Sequence, residues 1–358
     1  MAIPYRHFSR RFMTQVLQAL LVAMPLVLII NLIIWGGYRV QKESLQKQWK
    51  IQAETLLDGA IVSLERLRSD LYADLRLLAG NPYFEQVLDT ASESNLLTLA
   101  AEWEVFSAVK RRYEQIRWLD ETGMERLRVD LTPNGVRRVD DARLQDKSLR
   151  YYFREAMSLG DGEIYASPFD LNIEYGKIEH PFKPMLRLAM PVRDNRDERR
   201  GLLILNVRAD AILEDLARHA QISRGRLLML DFAGYYLRGF EAEQAWGRMR
   251  ERGDSDYYRF DKHYPLVWKE MVHKGTGLVE LAAGLFAYRT IHFSTGGLEY
   301  HYFLILALQP GELSAQLAAQ RGTWLTVSLL ISAVLLSMGL YVVRCCWSRR
   351  GIFAGISH

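Results

Sequence analysis

Three arginines lie inside predicted β-strands, where a charged side chain calls for a partner. Arg117, Arg128 and Arg187 each stand among apolar residues. Because a buried arginine is rare unless it is paired, any of them that faces inward predicts a salt bridge or a contact with a ligand. Otherwise they point to solvent or pair with a nearby carboxylate. The candidate carboxylates are Asp130, Glu125 and Asp170.

A group of aromatic residues follows these strands and has two interpretations. Its members are Tyr151, Tyr152, Phe153, Tyr165 and Phe169. Aromatic side chains of this kind form the walls of ligand pockets, and they equally well fill an ordinary hydrophobic core. The sequence leaves both possibilities open.

The sequence lacks the common catalytic and metal-binding patterns. The chain has no G-x-S-x-G, H-E-x-x-H, P-loop or G-x-G-x-x-G motif, and its 8 histidines show no metal-ligand spacing. The adjacent Cys345 and Cys346 could bind a metal or be oxidised, but with no further Cys or His nearby we favour an inert pair. We therefore predict a protein that is not an enzyme and needs no cofactor or metal.

Composition narrows the class of protein further. The chain is 49% hydrophobic and 25% charged, which excludes a disordered polypeptide. Its mean hydropathy of −0.10 is too polar for a multi-span transporter. The net charge of +4 is small, and the basic residues are spread along the chain, so nucleic acid is not a predicted partner.

Two uncharged segments, residues 12–38 and 322–343, predict membrane helices. A bilayer core of ~30 Å requires about 20 apolar residues in a helix, and both segments satisfy this. The first lacks a signal-peptidase site, so an uncleaved anchor is favoured over a signal peptide. Arginines flank the outer ends of both segments, which predicts cytoplasmic termini and a periplasmic region between the spans. These arginines are Arg6, Arg10, Arg11, Arg344, Arg349 and Arg350.

A long helix is predicted over residues 41–79, where leucine or isoleucine recurs every three or four positions. This apolar stripe either only packs on a sheet or also pairs with the same helix of a second subunit. The second interpretation predicts a homodimer, and we favour it. Its members are Leu57, Ile61, Leu64, Leu67, Leu71, Leu75 and Leu78. A second helix is expected at about 92–110.

Short strands separated by turn residues then predict two antiparallel-sheet units. The first contains strands at 113–119, 126–131, 162–166, 185–192 and 202–207, with a helix at 210–220. The second contains strands at 226–231, 235–238, 277–280, 285–293 and 299–308. The predicted fold class is α+β, with two PAS-like antiparallel-sheet units after a long N-terminal helix.

This order of elements resembles the double Cache sensor domains of bacterial transmembrane receptors. Several separated blocks carry the resemblance, among them IRWLDETGMERLRVDL, RRGLLILNVRADAILEDL and LLMLDFAGYYLRGFEAEQAWGRM. The family occurs in sensor histidine kinases, diguanylate cyclases, phosphodiesterases and chemoreceptors. The resemblance therefore implies a periplasmic sensor that binds a small molecule.

The resemblance also implies where the ligand binds. Members that bind amino acids carry an R-x-W-Y element whose arginine holds the ligand carboxylate, and a downstream aspartate that takes the amine. Here Arg150 is retained, Tyr152 replaces the Trp and Phe153 replaces the Tyr, and Asp170 lies downstream. The loss of two polar groups points to an organic acid or another small molecule. The predicted ligand-binding residues are Arg150, Tyr152, Phe153, Arg128, Tyr165, Asp170 and Arg187.

The predicted organisation is a two-pass inner-membrane receptor. The membrane helices are residues 15–37 and 322–343, and the cytoplasmic ends are residues 1–14 and a short tail at 344–358. The periplasmic part begins with a long helix region at 38–104. A membrane-distal PAS-like unit at 105–222, a membrane-proximal PAS-like unit at 223–311 and a connecting helix at 312–321 follow. The tail has no room for an output enzyme. Either the receptor acts through a separate cytoplasmic signalling protein, or the chain is a truncated cyclase or kinase, and the sequence leaves both open. A membrane-anchored scaffold without a ligand is a further alternative.

Overall fold

The computed structural model describes residues 10–220, 225–250, 255–295 and 297–353. These residues form two compact units. One consists of the chain up to Ile51 together with the chain from Pro310 onward, and the other is Gln52–Gln309. Arg6 and the side chains of Cys345 and Cys346 lie outside what the structure describes.

The helices are α1 (Arg10–Ala79), α2 (Pro82–Asp89), α3 (Glu93–Lys110), α4 (Tyr151–Met157), α5 (Ala209–Ala220), α6 (Phe260–His263), α7 (Pro265–Lys274) and α8 (Pro310–Phe353). Short 3-10 turns add Asp141–Arg143, Ala242–Gln244, Gly247–Met249 and Asp256–Tyr258. The residue pair Asn81-Pro82 ends the first helical pattern as predicted, and it also begins a helix that the sequence analysis missed. The Asn81 side chain accepts a hydrogen bond from Tyr83 N. Pro82 occupies the first turn, where the N–H group that proline lacks would have no partner within the helix.

The first sheet is antiparallel and holds the candidate site. Its strands are β1 (Tyr113–Leu119), β2 (Glu125–Thr132), β3 (Gly135–Arg138), β4 (Tyr165–Ala166), β5 (Asp170–Leu171), β8 (Pro184–Arg193) and β9 (Arg199–Arg208). They are ordered β3-β2-β1-β9-β8-β4, and β5 pairs with β8 beside β4. Strands β6 (Ile173–Glu174) and β7 (Lys177–Ile178) form a separate small hairpin.

The second sheet is also antiparallel and lies later in the chain. Its strands are β10 (Arg226–Leu230), β11 (Tyr236–Arg238), β12 (Thr276–Leu281), β13 (Gly284–Thr295) and β14 (Leu298–Leu308), in the order β11-β10-β14-β13-β12. Its apolar face buries Leu228, Phe286 and Ile305 against Phe260 of α6 and Met271 of α7. Both sheets confirm the predicted α+β class with two antiparallel-sheet units.

The apolar stripe of α1 is used within the subunit. Leu57, Leu71, Leu75 and Leu78 are almost completely buried. The same helix also buries Asp74, which accepts hydrogen bonds from Tyr113 (2.6 Å) and Lys110 (2.7 Å). The packing interpretation of the stripe is therefore confirmed for these four leucines, and the homodimer stays a prediction.

The unit formed by the chain ends contains two helices with apolar stretches. Segments within Ala23–Ala79 of α1 and at Arg321–Val342 of α8 are long and apolar enough to cross a membrane. Asn31 donates hydrogen bonds to Val27 O (2.8 Å) and to Ser332 Oγ (3.1 Å), so its amide has partners inside this unit. A polar side chain in a membrane helix needs such partners because water is absent there.

Candidate ligand site

Strand register brings five polar side chains to one face of the first sheet. Arg117 on β1 lies directly opposite Arg128 on β2, and Arg187 on β8 lies opposite Asn206 on β9. Gln115, two residues before Arg117, also lies opposite Asn206. Because side chains alternate along a strand and paired residues share a face, these groups converge on one region.

Arg117 is the centre of this region and is only 2% exposed. Its Nη2 donates to Asn206 Oδ1 at 2.7 Å, and its Nη1 donates to Glu125 Oε1 at 3.2 Å. Nη1 also lies 3.4 Å from the hydroxyl of Tyr152. One buried guanidinium thus joins two strands of the sheet to helix α4.

Arg187 lies on the other side of Tyr152 and is equally buried. It forms a short ion pair with Asp170 and donates to Asn172 Oδ1 at 3.2 Å. Its guanidinium carbon lies 5.2 Å from the centre of the Tyr152 ring. A carboxylate is needed here because an unpaired buried charge is strongly destabilising.

Arg128 completes the set of strand arginines. Its Nε donates to Asp130 Oδ1 at 2.7 Å and its Nη2 donates to Asp130 Oδ2 at 2.9 Å. Arg128 also approaches Glu174 at 3.4 Å. The three strand arginines therefore pair with the three carboxylates that the sequence suggested, Glu125, Asp130 and Asp170, which confirms the ion-pair alternative.

Sequence reasoning missed a lysine and a glutamate that belong to the same cluster. Lys147 is 5% exposed, and its Nζ donates to Gln145 Oε1 at 2.9 Å and lies 3.8 Å from Glu174. Burial raises the pKa of the Glu174 carboxyl, but Arg128, Lys147 and a hydrogen bond from Gln145 lower it by more. The resulting pKa is about 2, below the usual 4.5. Lys147 follows a turn in an ordinary polar stretch, so no local pattern marks it. Asn206 had a signal, because it is the one polar residue within the apolar run LLILNV.

Tyr152 lies where the positive charges meet. The guanidinium carbons of Arg117 and Arg150 are each 5.7 Å from its ring centre. Burial raises the pKa of the Tyr152 hydroxyl, yet Arg117, Arg187 and Lys147 lower it by more, so the net direction is downward. The local field therefore favours a negative charge at this hydroxyl.

Arg150 differs from the other cations of the cluster. It is partly exposed and precedes α4, and within the described part of the chain no carboxylate pairs with its guanidinium. Its contact is with the Tyr152 ring. The four buried cations face four carboxylates, whereas Arg150 remains available for an anion from outside.

The remaining predicted site residues, Phe153 and Tyr165, have no contact with the ion pairs that the structure describes. They pack with Leu119, Ala189 and Ile204 in an apolar cluster to which Tyr152 also belongs. The Tyr165 hydroxyl donates to Glu155 at 2.5 Å. The structure thus brings Arg128, Tyr152, Asp170 and Arg187 together with Arg150 at their edge, and it places Phe153 and Tyr165 in the neighbouring core. Among the described residues no group of three or more His, Cys, Asp or Glu side chains could hold a metal ion.

Solved structures with the same fold are sensor domains. The extracellular domain of vpHK1S-Z8, assigned as a histidine kinase, is 24% identical with a TM-score of 0.69, and the match covers 76% of this chain and 96% of that one. A domain of a protein assigned to the sensory box/GGDEF family from Vibrio parahaemolyticus is 25% identical with a TM-score of 0.68, covering 75% of this chain and 98% of that one. The sensory domain of the Campylobacter jejuni chemoreceptor Tlp3, solved with isoleucine bound, is 14% identical with a TM-score of 0.50, covering 76% and 97%.

The family comparison agrees with these folds. No curated protein matches the chain. Residues 61–305 match the family described as bacterial histidine kinase, sensor domain. That segment includes the first sheet, all of the second sheet except the last three residues of β14, and every residue of the polar cluster around Tyr152. It confirms the resemblance to receptor sensor domains. The chain belongs to the bacterial histidine kinase sensor domain family.

Proposed function

We propose that this protein is a two-pass membrane receptor whose sensor domain lies in the periplasm. Two helices are long and apolar enough to cross a membrane, and they bracket the sensor domain in the sequence. The arginines at the outer ends of both apolar segments favour cytoplasmic termini. A long intervening domain is translocated largely regardless of its own charge.

The ligand we propose is a small molecule with a carboxylate, held at Arg150 and Tyr152. The observation that carries this is the contrast between Arg150, which has a ring contact and no carboxylate partner within the described residues, and the neighbouring buried cations, which are all paired. A guanidinium binds a carboxylate with two parallel hydrogen bonds. The positive field at the Tyr152 hydroxyl adds to that attraction.

Signalling is proposed to pass through the strand that carries Asp170. Asp170 pairs with Arg187 in the polar cluster. The next residues on either side bind the second sheet unit, since Phe169 N donates to the Tyr302 hydroxyl (3.1 Å) and Leu171 N donates to Met249 Sδ (3.1 Å). A ligand that changes the partner of Asp170 would therefore alter contacts between the two sheets. A separate cytoplasmic protein, or an output domain, would receive the signal.

A scaffold without a ligand is the second candidate. The cluster supports it in one respect, because its four buried cations are already matched by four carboxylates. A network of that kind is stable without an external anion. The two functions differ in what they predict for binding.

Binding of carboxylates to the full chain in lipid nanodiscs tests the proposal. Thermal melts against a library of amino acids and organic acids should show a rise in midpoint with one ligand class, because a ligand that binds only the folded state stabilises it. With that ligand, Arg150→Ala should weaken binding by about 10- to 100-fold, the value of a charge-assisted hydrogen bond. Arg150→Lys should recover only part of this, since an ammonium lacks the planar pair of donors.

Arg154→Ala is the matched control, because Arg154 is exposed on the same helix. It should bind as the parent does. A library without any stabilising compound would favour the scaffold. A ligand that Arg150→Ala binds as tightly as the parent would leave the receptor in place and refute the site.

A further inference from the structure

A cavity of about 280 Å³ borders the Tyr152 cluster at Asp170 and lies between the segment that follows β4 and the β10–β11 turn. Its walls are mostly aromatic. The rings include Tyr151, Phe169, Phe232, Tyr235, Trp246 and Tyr302. Its volume is at the small end of the range for ligand pockets, so any ligand is small.

A buried carboxylate lies in the wall of this cavity. Asp231 is 6% exposed, and its Oδ1 accepts hydrogen bonds from Ala233 N and Tyr235 N, both at 2.9 Å. Burial raises the pKa of Asp231, and the two backbone bonds and Arg248 only partly offset this. Its second oxygen, Oδ2, takes neither backbone bond and faces the side chain of Arg248.

A cation of the protein thus already lies beside this oxygen. The guanidinium carbon of Arg248 lies 4.7 Å from the centre of the Phe232 ring, and its Nη1 is 3.5 Å from Asp231 Oδ2. The Arg248 side chain is 54% exposed, so it can move into solvent at little cost. The other acidic residue of the wall, Asp170, is already paired with Arg187.

We propose that this cavity binds a small organic cation, a quaternary ammonium or short alkylamine, in place of the Arg248 guanidinium. Aromatic faces carry a negative quadrupole that attracts cations, and alkyl groups on nitrogen fit an apolar wall better than a hydrated metal ion does. Asp231 supplies the opposite charge. The site is distinct from the proposed carboxylate site at Arg150, and its ligand has the opposite charge.

Titration of the full chain in nanodiscs with tetramethylammonium chloride tests this inference. Tryptophan fluorescence is a suitable signal because Trp246 lines the cavity. Sodium chloride holds the ionic strength constant, and sodium butyrate serves as an anionic probe. Arg248→Ala should tighten tetramethylammonium binding by up to about 5-fold, because the competing ion pair is removed.

Two variants should weaken binding. Asp231→Asn keeps the acceptor oxygen for the backbone N–H groups and removes the charge, and it should lose about 10-fold or more in affinity. Phe232→Ala should lose about 2- to 5-fold, and because Phe232 is 50% exposed the fold should be retained. Arg226→Ala is the matched control for Arg248→Ala and should leave binding unchanged. Arg226 is also about half exposed (45%) and pairs with a carboxylate, Glu241, at 3.5 Å, but this pair is not part of the cavity wall.

Three results would overturn the inference. One is the absence of a saturable response to tetramethylammonium in both the parent and Arg248→Ala. Another is parental affinity in both Asp231→Asn and Phe232→Ala. The third is binding of butyrate that disappears in Arg248→Ala, which would make this an anion site. None of these bears on carboxylate binding at Arg150.

Discussion

Removal of the Arg187 guanidinium should strongly destabilise the sensor domain. Arg187→Met keeps most of the side-chain volume but leaves Asp170 buried, with the Tyr151 hydroxyl (2.7 Å) as its one remaining side-chain partner among the described residues. Breaking a buried ion pair from one side typically costs about 3–5 kcal/mol, because the remaining charge has lost its partner. For a domain of 150–250 residues, each kcal/mol lowers the melting temperature by about 2–4 °C. We therefore expect a fall of about 6–20 °C.

The double variant separates charge from packing. Asp170→Asn removes the charge and keeps an oxygen for the Tyr151 hydroxyl, so Arg187→Met should cost much less in that background. The coupling between the two substitutions should reach about 1 kcal/mol or more, within the range found for residues in direct contact. The measurement is a double-mutant cycle of thermal midpoints on the full chain in nanodiscs. A fall below about 2 °C for Arg187→Met, or additive effects in the cycle, would refute the claim that this pair is buried and strongly coupled.

Two further predictions concern stability. The pKa of Glu174 is about 2 in the folded protein and 4.5 in the unfolded chain. The charged carboxylate therefore stabilises the fold fully above pH 4.5, and this stabilisation is lost as the pH falls from 4.5 through 2. The loss is about 3 kcal/mol at most, and Glu174→Gln should flatten the pH dependence of the melting temperature between these limits; an unchanged slope would contradict the assignment. Gly201→Ala should destabilise the domain by more than about 1 kcal/mol, since Gly201 has φ +97° and a Cβ there would lie 1.9 Å from the carbonyl oxygen of Leu119. Gly135→Ala is its control in the same melts, with φ +115° and no heavy atom within 4 Å of the added carbon; equal losses in the two variants would rule out the steric explanation.

The sequence predicted the sheets because their patterns are local. The hairpin around Asp120 and Gly123 has two alternating strands and a turn between them, and it forms as β1 and β2. The elements that the sequence did not predict are short or have no regular spacing of apolar residues. Helix α4 has only seven residues, and strands β6 and β7 have two each. Their conformations depend on tertiary contacts more than on propensity.

The polar cluster could be predicted in part, for a similar reason. Arginine in an apolar strand is visible in the sequence, and so is a nearby carboxylate, which is why the three ion pairs were foreseen as an alternative. Which carboxylate pairs with which arginine depends on strand register. Arg117 reaches Glu125 because β2 folds back beside β1, and Arg187 reaches Asp170 because β5 pairs with β8. Lys147 joins the cluster from a loop, where no periodic pattern indicates which side chains are buried.

The strand β5 constrains how the length of the chain can vary among relatives. Asp170 contacts the polar cluster, while the backbone of its neighbours Phe169 and Leu171 binds the second sheet unit. Because inserting or deleting one residue turns the side chains of a strand to the opposite face, such a change here would take the Asp170 carboxylate out of the cluster and move the N–H groups of its neighbours out of register. Relatives that keep both sets should therefore keep this segment at a fixed length. The β6–β7 hairpin that follows ends in the exposed Tyr175 and Gly176, and it is where extra residues should accumulate.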